Sequence, residues 1–135
     1  MQGALYFVSW RLAKEQPVLT PEERTAVAEG LKYFDGARYE LVVYVVMDDH
    51  VHALLQPLGE NRLQDIVHSW KSFTANELTR MKERSAPVWQ EEYFDRIVRG
   101  ESDLIEKARY ILGNSVKRWP EVEEYQWVGY GSWEG

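Results

Sequence analysis

Apolar and polar positions change their period several times along the chain, and each change marks a predicted element. Residues 4–12, Ala-Leu-Tyr-Phe-Val-Ser-Trp-Arg-Leu, are aromatic and β-branched enough to predict a first strand. Thr20-Pro21-Glu22-Glu23 joins a capping hydroxyl, a proline at the first helical position and a glutamate three residues after the cap. That capping box predicts a helix start. Val27, Leu31 and Phe34 give the helix an apolar face and Gly36 ends it. Residues 38–47 predict a second strand that is apolar on both faces, as a strand covered from both sides must be. After the polar break Asp48-Asp49, residues 50–56 predict a third strand, hairpinned to the second and closed by Pro57 and Gly59. Leu63, Ile66, Val67, Trp70, Phe73 and Met81 recur close to a helical period, so 61–82 reads as a long amphipathic helix.

Residues 87–99, with Trp89, Tyr93, Phe94 and Ile97, predict a loop running into a fourth strand. Ser102 is placed to cap a last helix reaching about residue 118, with Asp103 in its first turn, Lys117 and Arg118 in its last, and Pro120 beyond. The order β-α-β-β-α-β plus one helix predicts an α/β (α+β) ferredoxin-like sandwich. Its antiparallel sheet would carry helices on one face, with a C-terminal helix bearing Tyr110. No repeat, low-complexity tract or linker divides residues 1–135, so one domain is expected. The aromatic, acidic tail 121–135 is expected to pack on the body or on a second subunit.

Composition narrows the chemistry. A chain of 135 residues that is 44% hydrophobic can bury a real core. Cysteine is absent, which removes disulfides, thiolate nucleophiles and sulfur-ligated zinc; any metal must sit on nitrogen and oxygen. There is neither a long apolar run nor a basic-then-apolar leader pattern, so a soluble, cytoplasmic protein with no membrane partner is expected. The net charge of −6 runs against a nucleic-acid partner. Its distribution moderates this, because residues 68–118 hold 10 basic and 8 acidic groups and the acidity lies in the first half and the tail. Ordinary solvated helix faces would give the same pattern.

His50 and His52 are two apart on a predicted strand, so their imidazoles leave the same face and can reach one divalent ion. Two hydrogen-bonded surface histidines are the alternative. On the last helix, at about 100° per residue, Leu104, Ile105, Ala108, Ile111, Leu112 and Trp119 form one face. Tyr110 falls opposite, with Asp103, Lys107, Asn114 and Lys117. Asn114 is one turn beyond Tyr110, and its amide oxygen could complete a nitrogen-and-oxygen shell. A half-exposed tyrosine, or one in a dimer contact, would explain the same placement.

Several ordered blocks resemble the HUH-type single-tyrosine transposases, in particular the REP-associated tyrosine transposases (transposase IS200-like). They are Met47-Asp-Asp-His-Val-His-Ala-Leu-Leu55, Lys71-Ser72, Val88-Trp-Gln90 with Asp95-Arg96, and Tyr110-Ile-Leu-Gly-Asn-Ser-Val-Lys117. The resemblance implies that His50, His52 and Asn114 hold a divalent metal, Mg²⁺ or Mn²⁺, and that Tyr110 is the nucleophile. It further implies single-stranded DNA with a hairpin or palindrome as substrate, a 5′-phosphotyrosine intermediate and a homodimer. Lys71, Arg96, Arg99 and Lys117 are the candidates for phosphate contacts, and Trp89 or Tyr93 offers either a stacking surface or core packing. A free phenol, with a pKa near ~10, attacks poorly at neutral pH without a base or a positive charge beside it. The chain departs from the family's pattern at Asp48-Asp49, where Pro-Asn is usual, and at Ser115, where proline is usual. The first departure adds negative charge beside the expected metal. A regulatory DNA-binding protein on the same fold, and a metal-dependent phosphoesterase using water with Tyr110 idle, are the competing readings.

Overall fold

Buried side chains leave β1 (Tyr6–Arg11) on both faces: Val8 and Trp10 enter one core cluster and Phe7 enters another. The sheet is therefore covered on both faces. The computed structural model describes residues 3–135. After β1 come α1 (Pro21–Lys32), β2 (Tyr39–Val46), β3 (His50–Pro57), α2 (Leu63–Lys82), β4 (Phe94–Ile97), α3 (Glu101–Arg118) and β5 (Val128–Tyr130). The strands form one antiparallel sheet in the order β4-β1-β3-β2-β5, so the expected ferredoxin-like sandwich is the fold observed. Helices α1 and α2 pack Val27, Leu31, Ile66 and Trp70 onto Val8, Trp10 and Leu55. On the other face α3 sets Ile111 against Phe7, Val43, Val45 and Leu54. The central strands need apolar residues on both faces for this reason.

The capping box forms as the sequence predicts: Glu23 N–H donates to Thr20 Oγ1 at 3.2 Å and Thr20 N–H to Glu23 Oε1 at 2.9 Å. Glu23 has a second task. Its carboxylate, fully buried, takes two bonds from Arg84, at 2.5 and 2.7 Å. The remaining Arg84 donors go to Gln16 Oε1 and to the carbonyls of Pro17 and Val18, which ties the β1–α1 connection to the end of α2. Helix α1 ends earlier than its apolar pattern suggests, at Lys32, and Phe34 lies beyond it, exposed under the Arg38 guanidinium. The two helices approach closely at Gly30, where a Cβ would stand 2.9 Å from Thr74 Cγ2. The stripe α2 presents is Ile66, Val67, Trp70, Thr74 and Leu78. Phe73, expected in that stripe, is 47% exposed and stacks on Tyr33 at the rim, because Thr74 lies one turn after Trp70 and takes the inward place.

The expected cap at Ser102 is not the one used. Helix α3 starts at Glu101 after Gly100, whose φ of 91° only glycine adopts readily, and Asp103 Oδ2 accepts from Arg99 N–H at 2.8 Å. The tail packs on the body: β5 extends the sheet at the edge of β2, with Tyr130 opposite Val43 and Val128 opposite Val45. Tyr125 Oη donates to Val46 O and Trp127 Nε1 to Thr25 Oγ1. Gly131 is needed for this docking, since a Cβ there would sit 2.3 Å from Leu41 O. Among the described residues no helix is long and apolar enough to cross a membrane.

Candidate functional site

The β3 pleat aims His50 and His52 at α3, with ring centroids 4.7 Å apart. Both are nearly buried, at 7% and 6% exposure. His50 is held by Asp49, whose Oδ1 lies 2.6 Å from Nδ1, and its Nε2 faces Asn114 Oδ1 at 3.2 Å. A ring that donates Nδ1–H to a carboxylate leaves its other nitrogen with a lone pair, the arrangement usual behind a metal-bound histidine. His52 differs. Its ring stacks on Phe7 at 5.5 Å and meets the Tyr110 ring edge-on at 5.3 Å, while neither nitrogen has a hydrogen-bond partner. Burial first, then the charges of His50 and Arg11, lowers its pKa to about 3. The ring is therefore neutral, with an unused lone pair in a protein interior that seldom leaves one.

Tyr110, Asn114 and Lys117 come from successive turns of α3. Helical arithmetic places Tyr110 opposite the apolar stripe, but it lies on the stripe's flank. Its neighbour Ile111 is fully buried against the sheet, and a turn of about 100° carries the Tyr110 ring over Phe7 and His52 while leaving it 44% exposed. Lys117 Nζ stands 5.4 Å from that ring. Met47, His50, Tyr110, Asn114, Lys117 and Arg118 line a cleft of about 230 Å³.

The Asp48-Asp49 pair does not present free negative charge. Arg118 reaches Asp48 at 2.9 Å and Asp49 at 3.5 Å, and Arg11 stands 3.9 Å from Asp49. Burial pushes the Asp49 pKa up, but the bond to His50 and the charges of His50, Arg118 and Arg11 outweigh it and hold the carboxyl below its ordinary value. Sequence reasoning missed Asp49 as the support of His50 and Arg118 as its counterion. The available signal was the basic last turn of α3, which points back toward the β2–β3 turn.

Of the four basic candidates, Lys117 alone lies in the cleft. Lys71 is on α2, across the sheet, and its ammonium donates to the carbonyls of Gln90 and Glu91 at 2.8 Å each. Arg96 pairs with Asp103 at 3.6 Å, and Arg99 stands at the start of α3 with its backbone bonded to the same carboxylate. Trp89 is core: it is 5% exposed and donates Nε1 to Thr74 Oγ1. Tyr93 packs partly buried against the same core. The exposed aromatics beside the site are Tyr110 and Phe94; Tyr130, exposed on the same face, stands on β5 at the opposite edge of the sheet.

Two imidazole nitrogens and an amide oxygen fit a divalent cation of hard or borderline character, and the orphaned nitrogens of His52 favour that fit. Among the described residues no group of three or more His, Asp or Glu offers a competing site. Three neutral donors would leave further positions to solvent or a phosphate oxygen.

Known proteins share this arrangement of elements. A solved REP-associated tyrosine transposase bound to a REP hairpin superposes with a TM-score of 0.79 over 95% of this chain and 77% of its own, at 17% identity. A Deinococcus radiodurans protein described as a transposase gives 0.61 over 81% of this chain and 88% of its own, at 22% identity. Among curated proteins, one described as a REP-associated tyrosine transposase from Haemophilus influenzae is 26% identical over 134 residues, covering 86% of this chain and 72% of that protein. The profile described as transposase IS200 like matches residues 2–114, which take in both histidines, Tyr110 and Asn114, and the chain belongs to that family.

Proposed function

We propose that this protein nicks and rejoins single-stranded DNA beside a hairpin, with Tyr110 as the nucleophile and His50, His52 and Asn114 as the residues that hold a divalent metal, Mg²⁺ or Mn²⁺. The observation that carries the reading is the Tyr110 ring standing 5.3 Å from a buried, neutral, unpartnered His52. A tyrosine idle in a hydrolase would have no reason to share that pocket.

When bound, the metal would supply Lewis-acid polarisation of the scissile phosphate. The chain's own residues do the rest. Asp49 fixes the His50 ring, and Asn114 Oδ1 on α3 stands 3.2 Å from its Nε2, so strand and helix turn their donor atoms toward one point. The Tyr110 oxygen bonds to phosphorus, the 3′ oxygen leaves with the electron pair and takes up a proton, and the phenolic proton passes to solvent. The Lys117 ammonium, 5.4 Å from the Tyr110 ring, offers a positive charge to a phosphate drawn into the cleft. The product is a 5′-phosphotyrosine and a free 3′-hydroxyl, and attack by a 3′-hydroxyl reverses the step without ATP. Within one chain the Tyr110 ring stands beside His52, and Asn114 beside His50, which supports attack by a subunit's own tyrosine.

A hairpin is proposed as partner because the solved relative is bound to a REP hairpin. The test uses single-stranded oligonucleotides from the DNA flanking the gene, incubated with Mg²⁺ or Mn²⁺. Wild type should cleave beside a hairpin and Tyr110→Phe should not. Equal cleavage by both proteins would assign a water nucleophile. Hairpin binding with no cleavage under either metal would assign a regulatory DNA-binding protein.

A further inference from the structure

The register across three strands places Phe94, Ser9 and His52 in one line, on the face that α3 covers only in part. Ser9 is small and half-buried, so the line dips between its two ends. Phe7 and Arg11 are the same-face neighbours of Ser9 along β1. Phe7 carries the Tyr110 and His52 rings on one side, and Arg11, its side chain 59% exposed, stands on the other. Phe94 is 56% exposed and meets Phe7 edge-on at 6.3 Å. Phe94 and Tyr110, both open to solvent, flank Phe7 edge-on and make a contiguous aromatic surface beside the cleft, the kind of surface that marks an interaction site.

We propose that Phe94 is a base-stacking platform for the single strand next to the cleaved phosphate, with Ser9 as the floor of the path and Arg11 as a phosphate contact along it. The inference rests on the single-stranded DNA reading above. Three features favour an unpaired nucleotide as occupant. Strands lie about 4.8 Å apart, so Phe94 and His52 are separated by about 10 Å across β1, within reach of a nucleotide adjoining a phosphate held at His52. The ring sits on a rigid, paired strand, where an aromatic face binds any base without reading its sequence. Arg11 makes only a long 3.9 Å contact with Asp49, and Arg96, paired with Asp103 at 3.6 Å, follows Phe94 on the same face of β4, so a guanidinium stands on each side of the ring.

The experiment walks 2-aminopurine along the single-stranded flank of a hairpin oligonucleotide and measures quenching and affinity, with and without Mg²⁺. One position should be quenched by the wild type and by Phe94→Trp and released in Phe94→Ala and Phe94→Leu, with affinity falling about 10-fold in the last two. Arg11→Gln should reduce the slope of log K against log salt by about 0.7. The inference is overturned if no position distinguishes wild type from Phe94→Ala, or if wild type binds no single-stranded DNA. It is also overturned if Phe94→Ala changes self-association in sedimentation while affinity holds, which would make the ring a protein contact. Phe94-dependent quenching without any covalent adduct would remove the nuclease reading and leave the platform; an adduct formed equally by wild type and Phe94→Ala, with unchanged quenching, would do the reverse.

Discussion

The Nε2 of His50 and the Oδ1 of Asn114 face each other at 3.2 Å across 64 positions of sequence. With Nδ1–H donated to Asp49, both facing atoms are acceptors, and two lone pairs at that separation call for a shared cation. Asn114→Ala should therefore weaken Mn²⁺ binding while leaving the fold intact, as read by calorimetric titration and circular dichroism. Unchanged affinity would remove Asn114 from the donor set.

Asp49 is predicted to be a support for His50 and not a ligand. Asp49→Ala should lower metal affinity by about 10- to 100-fold, and Asp49→Asn, which keeps an acceptor oxygen, should restore part of it. An equal loss in both variants would show that the negative charge, not the hydrogen bond, is what His50 uses.

His52 sets function against stability. Its folded-state pKa, about 3, lies below the free value of 6.5, so the neutral form is the one the fold accepts. The contribution is complete above about pH 6.5 and is lost as pH falls toward 3. Glu23 and Asp49 act in the same direction at lower pH, since both carboxyls lie below their ordinary values. In Glu23 burial raises the pKa, but bonds to Arg84 and Thr20 outweigh it. His52→Phe removes two unpartnered nitrogens. It should hold or raise stability at pH 8, by up to about 2 kcal/mol in urea unfolding, flatten the loss between pH 6.5 and 4.5, and abolish the rise in Tm on adding Mn²⁺. A large destabilisation at pH 8 would mean that His52 has a structural partner.

Arg84→Ala should cost about 3–5 kcal/mol, because it strands the fully buried Glu23 carboxylate and releases the 13–19 connection. The measurement is the urea midpoint at neutral pH. A loss below about 1 kcal/mol would show that water reaches Glu23.

These cases show what the sequence makes legible. Four strands and the three helices were predicted by local signals, among them the box at Thr20 and Glu23, the period of α2 and the polar break before His50; β5, three residues inside an aromatic and acidic tail, was missed. Contacts between distant segments were not. The box glutamate gives no sign that Arg84, 61 positions away, will bury it. Phe73 satisfies a helical period as well as Thr74 does, and only the approach of α1 at Gly30 decides which turns inward. At the site, strand spacing put the two histidines on one face and helix spacing put Asn114 beside Tyr110. Helical arithmetic alone set Tyr110 opposite the core, since it carries no information on Phe7 and His52 of the inner strands, whose rings meet Tyr110 at the flank of α3. Trp89, free to be a stacking surface by composition, is claimed by Thr74 in the core under α1 and α2, and the open ring near the site belongs to Phe94 on the other face.

The central claim, that Tyr110 is the nucleophile, is tested most directly by the mass of the intact protein after incubation with a hairpin-flanked single-stranded oligonucleotide and Mn²⁺. A covalent adduct bearing the 5′-phosphate end of the DNA is expected, mapped by peptide analysis to Tyr110 and absent in Tyr110→Phe. Cleavage with no adduct, or an adduct on another residue, would contradict it.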